Sequence, residues 1–219
     1  MNEHLWWYVA RASGLVAWVL VAAAILWGLS LSGRITRRPR PAWVLDLHRF
    51  LGLLAVVFTA VHLVGLVADS YAHFGPAELF VPLASSWRPG PVTWGIVAFY
   101  LLVAIEVTSL LMRRLPRRFW RGVHLTSYAL YVVATVHLFT AGTDAGNPIV
   151  QWTALVLSVV IVNLTVVRAF SRPERPARAE RQPAVSRARQ RSWDTSAPEV
   201  DATKSSSRSA NRSGSLQCG

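Results

Sequence analysis

The sequence predicts an all-α integral membrane bundle of five transmembrane helices with a disordered C-terminal tail. Three observations predict it. Five apolar runs are each long enough to cross a bilayer, the arginines collect in alternate connections, and four histidines recur at matched positions on two of the runs.

A membrane span needs about 20 mostly apolar residues. The runs that meet this are Ser13 to Ser32, Leu47 to Ala68, Thr93 to Met112, Val123 to Ala141 and Pro148 to Val167. Composition agrees: 53% of the chain is hydrophobic and only 16% is charged, against about 25% charged in a typical soluble domain. The stretch before the first run carries Glu3 and Arg11 rather than a basic leader, and the run itself is longer than a signal peptide's apolar core. It is therefore expected to be a retained helix.

Arginine placement orients the bundle. Arg34, Arg37, Arg38 and Arg40 follow the first span, and Arg113, Arg114, Arg117, Arg118 and Arg121 follow the third. Arg168, Arg172, Arg175 and Arg178 follow the fifth. The other two connections are nearly free of bases: residues 69–92 hold Arg88 against Asp69 and Glu78, and residues 142–147 hold Asp144. Basic loops stay on the cytoplasmic side. The expected topology is a multi-pass protein of a bacterial-type plasma membrane, N-terminus outside and tail cytoplasmic. Trp6, Trp7, Trp43, Trp94, Trp120 and Trp152 fall near span ends, where indole rings favour the headgroup level.

The net charge of +12 does not indicate nucleic acid, because the bases lie between apolar spans and in the tail. The single cysteine, Cys218, excludes disulfides within the chain, iron–sulfur clusters and cysteine-based zinc sites. The organisation expected is an extracytoplasmic segment 1–12, a five-helix domain 13–168 and a basic Ser/Arg/Pro-rich cytoplasmic tail 169–219. The tail has little to bury, so disorder is expected, with its first bases near anionic lipid. No G-x-G-x-x-G and no strand–helix alternation marks a flavin or nicotinamide site.

His48 and His62 lie on the second span, 14 residues apart, and His124 and His137 lie on the fourth, 13 apart. Ionisable groups inside a bilayer point to function. At 1.5 Å per residue the two spacings climb about 21 and 20 Å. The second and fourth spans run in the same direction, so His48 matches His124 near the inner face and His62 matches His137 near the outer face. Two such pairs suit the two axial positions of haem iron, and stacked haems would conduct electrons through the bilayer. Helical phase sets one condition. Fourteen residues return to within about 40° of the same face, whereas thirteen leave the second histidine roughly 140° away. The fourth span must therefore bend, or place its two ligands on different flanks. The alternative use of an intramembrane histidine is a hydrogen bond between helices. His4 and His73 read as ordinary surface histidines.

The stretch HRFLGLLAVVFTAVHLVGL, followed by WRGVHLTSYALYVVATVHLFTAGTD, resembles the ferric reductase-like transmembrane family. Its members include ferric reductases, NADPH oxidases and the haem-bearing membrane subunit of a periplasmic methionine sulfoxide reductase system. The likeness covers about residues 10–168 and implies b-type haem on His48, His62, His124 and His137. The oxidase branch carries two haems, which would pair His48 with His124 and His62 with His137. The sulfoxide reductase branch often has arginine in place of His48, so its retention here favours two haems over one. Two features depart from the oxidases: five spans rather than six, and no flavin and nicotinamide domain after them. Electrons are then expected from a cytoplasmic flavoprotein or from quinol, to reach a ferric complex, oxygen or an oxidised protein outside. The chain would be an oxidoreductase component without its own dehydrogenase domain.

Secondary expectations attach to single residues. Arg49 and Arg121 could bind haem propionates or simply anchor topology. Glu106 is expected to pair with an arginine rather than relay protons. Gly52 could admit a macrocycle or a close helix, and Tyr128 could bond near haem or pack between helices. Tyr71, His73 and Trp87 mark the outer loop as an acceptor surface. Two rival classes stand beside electron transfer: a haem-free membrane scaffold or partner subunit with packing histidines, and a transporter with a histidine proton relay. Against the latter, no span is broken by Gly or Pro at mid-depth.

Overall fold

The computed structural model describes residues 5–32, 42–69 and 75–170. All of its regular structure is helical: α1 (Leu5–Ser32), α2 (Ala42–Ala68), α3 (Pro76–Phe80), α4 (Pro89–Leu110), α5 (Arg117–Leu125), α6 (Ser127–Ala141) and α7 (Pro148–Phe170). Five candidate spans result, because α5 and α6 together make the fourth, Arg117–Ala141. This is a multi-pass membrane bundle, as the apolar runs predict.

Several boundaries differ from the sequence reading: the second span starts at Ala42 rather than Leu47, the third is Pro89–Leu110 rather than 93–112, and the fourth starts at Arg117 rather than Val123. Helix α1 starts at Leu5, so most of the segment assigned to residues 1–12 is the first two turns of the span. Trp6, Trp7 and Tyr8 extend an apolar surface that the bilayer edge accepts. Helix α7 runs to Phe170, past the expected boundary at 168. His4, Tyr71, His73, the first arginine loop and the tail from 171 lie outside the described residues.

Helix α1 is the central element. One third of its apolar window is buried, 33%, against 11–22% for the other spans. It packs along α2 and also meets α6 and α7, while α4 packs on α6. The core joins Trp18, Val21, Ala22, Ile25 and Leu29 of α1 to Ala55, Ala98, Leu102, Ile105, Leu130, Tyr131, Ala154 and Ile161. Small residues bring the backbones close: an added Cβ on Gly65 would lie 2.9 Å from the Ala10 nitrogen. In a bilayer, where burial of apolar surface between helices gains little, such close packing and interhelical hydrogen bonds hold a bundle together. Trp18 Nε1 donates to Thr135 Oγ1 at 3.0 Å, Trp27 Nε1 to the Val44 carbonyl at 2.8 Å, and the Tyr131 and Ser158 hydroxyls meet at 3.0 Å. The outward residues Leu53, Val64, Trp152 and Val162 are exposed and apolar, as a lipid-facing surface requires.

The fourth span is interrupted at Thr126, between its two histidines. The Thr126 backbone amide and hydroxyl both bond the Val123 carbonyl, at 3.0 and 2.6 Å. This tight turn ends α5, and α6 resumes with the Leu130 amide on the Thr126 carbonyl. The regular 3.6-residue repeat is therefore interrupted between His124 and His137, where their 13-residue spacing conflicts with a straight helix and one shared face.

Candidate functional site

Four histidines form two pairs. The ring centres of His48 and His124 are 5.9 Å apart, with planes at 72°, and those of His62 and His137 are 6.5 Å apart, at 82°. Two imidazole nitrogens each about 2 Å from one metal ion set ring centres roughly 6 Å apart. Both separations match that requirement.

Each seat is built from a helix backbone and a missing side chain. His62 Nδ1 bonds the Ala10 carbonyl at 2.7 Å, and a Cβ on Gly14 would stand 2.9 Å from the same nitrogen. His137 Nδ1 bonds the Pro91 carbonyl at 2.9 Å, and a Cβ on Gly95 would stand 2.6 Å from His137 Cε1. His48 lies against Gly28, where a Cβ would stand 3.2 Å from its Cε1, and faces the Ala24 carbonyl without reaching hydrogen-bond geometry. In all three cases a carbonyl is followed four residues later by glycine. A carbonyl that holds Nδ1–H fixes the tautomer and leaves Nε2 unprotonated, the form that ligates metal. Only glycine lets the ring reach that carbonyl over the next turn. Sequence reading missed these glycines, although a signal existed: Ala10-x3-Gly14 and Ala24-x3-Gly28 repeat with the 14-residue spacing of His48 and His62.

His124 is held differently. Its ring stacks on Trp120 at 5.1 Å and 23°, and the buried Nδ1 has no partner. His48 Nδ1 and Trp120 Nε1 are likewise buried without one.

A cavity of about 520 Å³ surrounds the outer pair, well within the 300–1,000 Å³ of ligand pockets. Gly14, Trp18, Gly95 and Leu102 line its interior, and Arg11, Arg88 and Asp144 its mouth. Arg11 Nε donates to Asp144 Oδ2 at 2.5 Å, a second bond joins Nη2 to Oδ1, and the guanidinium lies over Trp7 at 5.0 Å. The pair ties α1 to the turn before α7 one residue from the carbonyl that seats His62. Asp144 is 5% exposed. Its replacement by alanine is expected to lower stability by about 1–3 kcal/mol, measured as a lower thermal midpoint in detergent. Asp144→Glu should recover part of that loss.

The remaining expected residues are placed as follows. Arg49 is exposed and lies 3.7 Å from Asp46, one turn back on its own helix. Arg121 is exposed on α5. Glu106 makes no ion pair among the described residues, contrary to the expected arginine partner; its carboxylate lies against Gly52. Arg49, three residues before Gly52 on α2, lies by Asp46 of its own helix instead, and Gly52 leaves the space that the carboxylate occupies. Gly52 therefore serves helix packing, and Tyr128 packs on the core. Trp87 lines the cavity mouth.

The sequence pattern described as ferric reductase like transmembrane component matches residues 13–135. This chain belongs to the ferric reductase-like transmembrane family. The match takes in three of the four histidines and both seat glycines on α1, Gly14 and Gly28. A curated relative is the protein-methionine-sulfoxide reductase heme-binding subunit MsrQ of Ralstonia nicotianae, 29% identical over 133 residues. The shared stretch is 59% of this chain and 57% of the relative, so the chain spans a little over half of that protein's length. No solved structure matches the chain.

Proposed function

We propose that this family member holds two b-type haems, one on His48 and His124 and one on His62 and His137, and conducts electrons from the cytoplasmic face to an acceptor outside. The observation that carries the reading is the pair of histidine pairs, each at the ring separation one metal sets, within a ferric reductase-like domain. The glycine seats fit the group as well: they leave space at three of the four ligands where any side chain would intrude.

Bound haem would supply one-electron chemistry, its iron held by two neutral imidazoles. The chain's own residues do the rest. Ala10 and Pro91 hold Nδ1–H of the outer ligands, which keeps each Nε2 free to ligate. Trp18 and Leu102 exclude water from the outer cavity. Along α2 the two sites are separated by a rise of about 21 Å. Arg49 and Arg121 are the nearby cations for propionates at the inner face, and Arg11 and Arg88 are their counterparts at the outer mouth.

The arginine distribution supports an N-terminus outside and a cytoplasmic tail over residues 171–219. The donor we propose is a soluble flavoprotein or membrane quinol. The relative's name supports an oxidised protein, served through a methionine sulfoxide reductase partner, over a ferric complex or oxygen as the acceptor.

The test is a dithionite-reduced minus oxidised visible spectrum on detergent-purified chain, with haem-to-protein stoichiometry. A b-type α-band at about two haems per chain is expected. One haem would remove the two-site wire. None, from cells well supplied with haem, would sink the proposal and leave a membrane scaffold in its place.

A further inference from the structure

We infer that His124 is a detachable ligand, so that the inner site binds a small neutral molecule such as carbon monoxide on its α5 side while the outer site stays closed. The inference rests on the two-haem reading and adds an activity to it.

Four observations set His124 apart, the first from the outer pair alone and the rest from all three other histidines. Its Nδ1 is buried without an acceptor, whereas both outer ligands have a carbonyl at 2.7 and 2.9 Å. Loss of such an outer partner typically weakens metal binding 10–100-fold. Secondly, no described glycine opens a place for its ring, as one does at each of the other three seats. Thirdly, it sits on α5, nine residues of which none is fully buried, set apart from α6 by the turn at Thr126. His137, by contrast, lies deep in α6 against α4. Fourthly, the group that steadies His124 is a stacked indole, Trp120, whose own Nε1 has no acceptor. Stacking fixes the plane of a ring but resists sliding weakly, unlike a directed hydrogen bond.

The partner ligand is better held. His48 also lacks a completed Nδ1 bond, but it lies in the Ala24–Gly28 seat on the central helix. When the inner site opens, His124 is therefore the side that leaves. The step balances simply: the bond from the metal to His124 Nε2 breaks, one bond from the metal to the incoming molecule forms, and neither an electron nor a proton moves. The freed imidazole keeps its Nδ1 proton and its stack on Trp120.

The 219-residue chain carrying both haems, reduced with dithionite and mixed rapidly with carbon monoxide, tests this. About half of the haem spectrum is expected to convert. The rate should level off at high carbon monoxide, because departure of His124 limits it. Trp120→Ala should raise that plateau roughly tenfold, and His124→Ala should abolish it, leaving a rate proportional to carbon monoxide. Should His124→Ala shed its inner haem, Trp120→Ala decides alone. A two-haem preparation in which carbon monoxide converts neither haem, or both, overturns the inference and leaves the four-histidine assignment standing. A plateau unchanged in Trp120→Ala overturns it too. A chain without haem fails at the earlier stoichiometry and so tells the two failures apart.

Discussion

Replacing His62 by alanine is expected to remove the outer haem, lowering the content from about two per chain to about one, and to stop delivery of electrons to any outer acceptor. The size of the effect follows from the seat. His62 is half-buried and bonded to the Ala10 carbonyl at 2.7 Å, with Gly14 leaving it just enough room. Alanine leaves one axial position empty in a cavity of about 520 Å³ lined mainly by apolar side chains. No other described histidine lies within that cavity except His137, which is already committed. Loss of a ligand's supporting partner alone weakens metal binding about 10–100-fold, and loss of the ligating nitrogen exceeds that. The inner pair is on other turns, so its α-band should remain. Haem stoichiometry and the reduced spectrum measure both halves of this result. If His62→Ala retained two haems and full turnover with outer acceptors, the vectorial route would be wrong.

A similar loss is expected from a residue that ligates nothing. Gly95→Val should empty the outer site while leaving His62 and His137 in the chain. A single Cβ at Gly95 would stand 2.6 Å from His137 Cε1 and 2.9 Å from both ring nitrogens. The ring cannot yield without leaving the Pro91 carbonyl that orients it. Valine adds two methyl groups to that collision, so Nε2 of His137 turns away from the metal position. Gly95→Ala should be milder, weakening outer haem binding by roughly 10–100-fold as the supporting hydrogen bond is lost. Gly90→Val is the control. It is on the same helix, and a Cβ there would meet nothing within 4 Å. A selective loss of haem in Gly95→Val, at thermal midpoints comparable between the two variants, isolates the seat. Equal haem content in the two variants would mean that His137 does not need its glycine.

Much of this molecule was legible in its residues. Five apolar runs became five candidate spans because a bilayer demands that backbone hydrogen bonds close within each segment, a local property. The four intramembrane histidines could be paired by depth because helical rise is constant. Angle arithmetic on a 13-residue spacing called for a bend or for ligands on different flanks, and the turn at Thr126 falls between the two histidines. The start of α1 was misjudged by eight residues, since aromatic residues at a bilayer edge continue a helix that hydropathy alone ends early.

What the sequence by itself determined is therefore the membrane class, the number of candidate spans and the matched depths of four histidines, all properties of single helices and their periodicity. The tertiary structure alone decided which carbonyl each imidazole meets, that Gly14, Gly28 and Gly95 are seats rather than ordinary helix contacts, and that Glu106 faces Gly52 instead of an arginine. It also distinguished His124, stacked on Trp120 and without a glycine seat, from three histidines of the same type. The reason is physical. Rise and hydropathy repeat along one helix, whereas a seat depends on the register and closeness of two helices far apart in the chain, which packing sets.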